Sequence, residues 1–181
     1  MTERADIFID GMYFQKVLES FGLVNQIDFE KFSDKLAKIE NSERQRTYYF
    51  DALPYTSNNH LKDQKQKFLD KLSYLDSFQI EKGYVKAEQK ICPNCNHQIT
   101  IPRQKKVDIL LATRLVERSL EVDKIILVAG DADFTPAIEV AKKKAKVVLA
   151  FHPDSTATQL KQMSDRKIEL SNAFFIDLKR S

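Results

Sequence analysis

Residues 124–151, KIILVAGDADFTPAIEVAKKKAKVVLAF, hold the pattern that decides the fold. Lys124 to Val128 is an unbroken apolar run after its first residue, which is how a parallel strand buried on both faces reads. Thr135 is placed as an N-cap with Pro136 at the first helical position. The spacing then predicts a helix over Ala137 to Lys144. Val147 to Phe151 is a second buried strand. A strand, a helix and a strand in this order make one crossover unit, and the connection in such units is right-handed.

Working outward, Ala5 to Ile9 reads as a strand that stops at Asp10–Gly11. Helical spacing follows over Met12 to Phe21. It recurs over Phe29 to Ile39, where Phe29, Phe32, Leu36 and Ile39 form one stripe behind a capping Asp28. Gln45 to Leu53 suits a strand ended by Pro54. His60 to Leu75 is a helix with Phe68, Leu72 and Leu75 inward. Phe78 to Val85 alternates like a half-exposed strand, and Val107 to Leu120 is a strongly apolar helix. The tail predicts a short helix near Ala157 to Met163 and a last strand near Phe174 to Leu178. Alternating strands and helices give an α/β fold around a mostly parallel sheet. No repeat or linker divides residues 1–181, so one domain is expected, with residues 89–102 as a small Cys-bearing hairpin insertion.

The chain has 181 residues, 43% of them hydrophobic and 30% charged, a globular composition that excludes a disordered tail. No secretory signal is visible at the start, and no apolar run approaches the roughly 18 residues of a membrane helix. A cytoplasmic location without membrane attachment is the expectation. Net charge is only +3, so the distribution of charge matters more than its total. Basic residues cluster at Arg103, Lys105 and Lys106, and again at Lys142, Lys143, Lys144 and Lys146. Each cluster reads either as a solvated face or as a phosphate-binding patch.

Open α/β sheets place their sites at the carboxyl ends of the strands. Two predicted strands end there in aspartate, at Asp10 and at Asp131, with Asp133 two residues on. Asp108 opens the helix before the strand that leads to Asp131. Any one of these also reads as a turn or cap residue. Two like charges packed into Gly130–Phe134 nonetheless repel unless a cation offsets them. Carboxylates with waters are the ligand set for Mg²⁺ or Mn²⁺, which activate water in phosphodiester cleavage. With four glycines in the chain, no phosphate-cradling Gly-rich loop is present.

Three segments, IFIDGMYF at 7–14, KKVDILLATRL at 105–115 and LVAGDADFTPAIEVAKKKAKVVLA at 127–150, resemble the NYN family of PIN-like ribonucleases. The resemblance implies a PIN-like, Rossmann-like sheet flanked by helices and divalent-metal-dependent cleavage of RNA. It makes Asp10, Asp108, Asp131 and Asp133 the catalytic metal ligands. The RNA contacts expected beside them are Arg103, Lys105, Lys106 and Arg114. Three positions depart from the family pattern. Tyr13 replaces a usual Asn, Ala129 a small hydroxyl residue, and Arg114 stands about where many members carry a further acid. Arg114 then has two readings, a phosphate contact or an ion pair with Glu117 or Glu121. The departures alter the polar shell and leave a second functional reading, a non-catalytic RNA-binding or scaffold protein.

Cys92-Pro93-Asn94-Cys95 has the spacing of a zinc knuckle, with His97 a possible third ligand. A structural zinc takes four ligands, so two chains sharing one Zn²⁺ in a homodimer is one reading. A free thiol pair and a disulfide or redox pair are the others. Asp131, Asp133 and Thr135 also spell the DxDxT motif of haloacid-dehalogenase-like phosphatases. In that family the motif lies near the start of the chain, and Asp10 and Asp108 would be idle.

Overall fold

The structure, a computed structural model, describes residues 2–180 except Tyr55 and Ser57; the side chains of Lys86 and of residues 101–105 lie outside the description. The elements in chain order are β1 (Glu3–Asp10), α1 (Gly11–Ser20), α2 (Phe29–Ile39), β2 (Ser42–Ala52), α3 (Asn59–Ser73), β3 (Phe78–Ile91) and β4 (Gln98–Lys105). They continue with α4 (Val107–Arg118), β5 (Lys124–Val128), α5 (Thr135–Ala141), β6 (Lys146–Phe151), α6 (Thr158–Met163), β7 (Arg166–Glu169) and α7 (Asn172–Phe175). The strands form one sheet in the order β4-β3-β2-β1-β5-β6-β7. All neighbours run parallel except β3 and β4.

Side chains alternate across the pleat, and each face has its own core. Ile7, Ile9, Tyr49, Ile126 and Val148 pack against Phe14, Phe32, Leu36 and Leu72 of the helices on one side, with Phe174 and Phe175. Phe8, Phe50, Ile125, Leu127 and Leu149 face Leu111, Leu115, Ile138 and Leu160 on the other. β5 is buried along its whole length between β1 and β6, which explains its continuous apolar sequence.

The chain first winds outward from β1 through β2 and β3 to β4. It then returns across the sheet on α4 to place β5 on the other side of β1. The order reverses between β1 and β5, and a crevice opens at such a switch point, outside the carboxyl ends of the strands.

Several elements differ from the sequence reading. Thr135 is the first residue of α5, not its cap. Its hydroxyl donates back to the Ala132 carbonyl at 2.8 Å, because a turn of 3₁₀ helix over Ala132–Phe134 already begins the helical path. Residues 174–178 are not a strand but α7 and a 3₁₀ turn, and the last strand is β7. Phe174 and Phe175 gain more from stacking on Phe32 and Phe14 than an edge strand offers. Ile39 ends α2 in solvent instead of completing its stripe. β3 runs without interruption into the cysteine hairpin, so that hairpin is the end of a sheet strand that extends past its pairing with β2 and stays paired with β4.

Candidate active site

β1 delivers Asp10 to the crevice. Asp10 also caps α1, with its Oδ1 accepting from the N–H of Met12 and of Tyr13 at 3.1 Å each. The cap leaves Oδ2 without a hydrogen-bond partner among the described residues. The adjoining Gly11 is obligatory by crowding. A Cβ there would lie 2.6 Å from Asp51 Oδ2 and 2.8 Å from the Phe50 carbonyl oxygen.

β5 delivers the second acid. Ile9 is level with Val128 across the parallel pair, so the chain after each strand turns out beside the other. Asp131 caps the 3₁₀ turn, its Oδ1 accepting from the Asp133 N–H at 3.0 Å. Asp131 and Asp133 are exposed. Asp108 sits in the first turn of α4, reached through Lys106 at φ 71°.

Electrostatics tie these acids together. Burial, and then the charges of Asp108 and Asp51, push the Asp10 carboxyl up to about 6 against two backbone hydrogen bonds that pull it down. Asp108 is raised by desolvation first and then by Asp131 and Asp133. Asp108 therefore feels the acids of the β5 side and is felt by Asp10 on the β1 side. The donor set suits a hard cation, since mutually repelling carboxylates are stabilised by one. Among the described residues, no three His, Cys, Asp or Glu side chains stand close enough to hold one ion as they are.

Asp51, at the end of β2, was not singled out in the sequence. It is buried and pairs with Lys65 of α3 at 2.5 Å, and its charge adds to the upward push on the Asp10 carboxyl.

The departures have structural accounts. Tyr13 is 8% exposed. Its hydroxyl accepts from the His152 N–H at 2.8 Å and shares a 2.7 Å hydrogen bond with Thr156 Oγ1. Its ring lies against Gly130, where a Cβ would come within 2.4 Å. Tyr13 thus fastens the loop after β6 over the crevice. Arg114 donates to Glu117 at 2.7 Å and to Glu81 of β3 at 2.8 Å, so the ion pair with Glu117 forms and a second acid joins it.

Of the expected RNA contacts, the side chains of Arg103 and Lys105 fall outside the described residues. Lys106 is exposed, with its ammonium 5.4 Å from the centre of the Tyr84 ring. Beside it, Lys62, Lys82 and Tyr84 line a cavity of about 340 Å³ with Leu53, Pro54, Gly83 and Val85. Lys62 lies on α3 and Lys82 and Tyr84 on β3, so no sequence motif joins the three.

The NYN domain family profile matches residues 4–171. The chain belongs to the NYN domain family. That family is associated with nuclease activity, and the sheet observed is consistent with the PIN-like fold. No curated protein matches the chain significantly. A crystal structure of a protein of unknown function from Vibrio parahaemolyticus RIMD 2210633 is similar at TM-score 0.65 and 16% identity, over 99% of this chain and 97% of that one. That likeness bears on the fold alone. A Sir2 complex aligns at TM-score 0.35 and 9% identity, over 91% of this chain and 86% of that one, and carries no argument.

Proposed function

We propose that this NYN protein is a divalent-metal-dependent ribonuclease whose site is the ring of Asp10, Asp108, Asp131 and Asp133. One observation carries the reading. Asp10 and Asp131 come from distant parts of the chain, flank the switch point, and are linked electrostatically through Asp108. Structural caps alone have no need of a third acid between them.

The four carboxylates would hold Mg²⁺ or Mn²⁺, which would supply an activated water and charge for the leaving oxygen. The chain's own groups do the rest. The two caps each engage Oδ1 of Asp10 and of Asp131, which leaves the second oxygen of each for a cation. Lys62, Lys82 and Lys106 offer charge to RNA phosphates, and exposed Tyr84 offers a ring for a base to stack on. RNA held by phosphate contacts binds less well as salt rises.

The test is RNA cleavage by the purified protein with Mn²⁺ or Mg²⁺ against EDTA, beside Asp131→Asn. Asparagine keeps the oxygen that caps Asp133 and removes the charge. Cleavage should fall by orders of magnitude, with RNA binding and the thermal melt retained. A stable variant that cleaves like the parent sinks this assignment.

A second reading, RNA binding without cleavage, has one observation in its favour. The position of the family's Asn is occupied by Tyr13, whose hydroxyl is used on His152 and Thr156. RNA binding with no metal-dependent cleavage in the parent protein selects it.

A further inference from the structure

The Cys92–Cys95 turn stands apart from the aspartate site. β3 pairs with β2 as far as Gly83, and from Tyr84 onward it pairs with β4 alone. The result is a two-stranded ribbon, Tyr84–Ile91 against Gln98–Lys105, about 27 Å long at ~3.4 Å per residue. A two-stranded ribbon of this kind has little core of its own.

Its tip is a tight turn that carries both cysteines. The Cys92 N–H donates to the His97 carbonyl, and the Asn96 N–H donates to the Cys92 carbonyl, both at 2.9 Å. Asn96 takes the left-handed conformation, φ 53°, that closes the turn. Backbone hydrogen bonding from Asn94 and Cys95, and then the Cys95 side chain, holds the Cys92 thiol below the ordinary range. Two free cysteines on one closed turn bring together two sulfurs of the kind that bind a soft or borderline cation.

One chain does not complete such a site. Both cysteines are free, and His97 does not join them in a group of three among the described residues. A structural zinc closes on four ligands. The tip is also unlike the rest of the surface. Residues 91–102, ICPNCNHQITIP, contain no Asp, Glu, Lys or Arg in a chain that is 30% charged. Ile91 and Ile99 are exposed there, at 68% and 42%. No charged residue within 91–102 opposes a second identical tip, which brings the same two sulfurs.

We propose that two copies of this chain join tip to tip through one Zn²⁺ held by Cys92 and Cys95 of each copy. Four thiols release their protons to solvent on binding, and the cation is matched by four thiolates. The occupant is a second copy because it supplies two more cysteine sulfurs on a turn that has no charged residue and reaches past the end of the β2 pairing.

The test uses the whole protein, reduced and freed of metal, then titrated with Zn²⁺ alone. Metal-free protein should run at 21.0 kDa. Zinc should bind at one ion per two chains and double the mass, and EDTA should reverse both. Co²⁺ should give the strong visible absorption of a tetrahedral tetrathiolate site. Cys92→Ser and Cys95→Ser should each bind no zinc and stay monomeric, with the thermal melt of the body unchanged. His97→Ala should bind and dimerise as the parent does. One zinc per monomer overturns the proposal, as does failure of the parent to bind zinc. So does a dimer that survives in Cys92→Ser with EDTA, or loss of zinc in His97→Ala. None of these readouts involves RNA cleavage, so the proposal stands or falls apart from the nuclease reading.

Discussion

At residue scale, Tyr13 shows how a departure from a family pattern is absorbed. Tyr13→Phe should leave the His152 N–H without its partner and cost about 1–2 kcal/mol. Tyr13→Asn, the family's own residue, also empties the space beside Gly130 and should cost about 3–5 kcal/mol. Denaturant unfolding measures both, and an Asn variant as stable as the parent would refute the fastening role. Asp10 sets a pH dependence. Its folded carboxyl lies at about 6 against an ordinary 3.8, so between those values the folded chain binds more protons than the unfolded one. Stability therefore falls as pH rises across that window, by at most about 3 kcal/mol. Asp10→Asn, which keeps the cap oxygen, should flatten the slope. Stabilisation by Mg²⁺ or Mn²⁺ should grow over the same window, because the ion needs the carboxylate. Melts from pH 4 to 7 with and without metal check both, and an unchanged slope in Asp10→Asn rejects the assignment. Asp10 and Asp131 were legible because each ends an apolar strand in a turn residue. Asp51 was not. It sits inside the apolar stretch TYYFDALP, and only the packing of α3 supplies Lys65 to it.

At element scale, the entry to α4 isolates charge from backbone. Lys106 holds φ 71°, a conformation that suits glycine better than lysine. Lys106→Gly should therefore keep or slightly raise the melting temperature while weakening RNA binding severalfold at low salt. The difference should vanish at high salt. A large loss of stability would mean that the contact of Lys106 with Tyr84 holds the helix start. Elements with neighbours on both sides were read best. Lys124–Val128 was bounded correctly, since a strand buried on both faces admits no polar residue until it ends. Residues 174–178 failed because a short apolar run fits a strand or a helix equally, and the choice rests on Phe14 and Phe32, far away in sequence. The reach of β3 was missed because its outer half has no third strand to bury it, so the apolar alternation fades while the pairing continues.

At the scale of the whole molecule, the two ends of the sheet are opposite in character. The carboxyl end gathers acids around the crevice, with Asp108, Asp131 and Asp133 exposed. The amino end buries paired ions. Asp6 is fully buried and held by Arg118 at 2.6 Å, and Lys124 donates to the Glu40 carbonyl and pairs with Glu3, each at 2.6 Å. Burial raises the Asp6 carboxyl despite its arginine. Arg118→Met should cost about 3–5 kcal/mol near neutral pH, because it leaves a charge buried without its partner. The loss should shrink in acid, where Asp6 takes up a proton, and a loss equal at both pH values would assign the effect to packing instead. The strand order carries a consequence for synthesis. β1 to β4 leave the ribosome first and can form a half-sheet whose β1 edge is bare until Lys124–Val128 arrives. At ~5–20 residues per second that wait lasts about 1–5 seconds, with the apolar faces of β1 open to chaperones and to other chains. Asp10 is made before this interval, and Asp131 only after it. The acid ring therefore cannot exist on a nascent chain until the second half has docked, and the message being translated is never beside a finished site during that time.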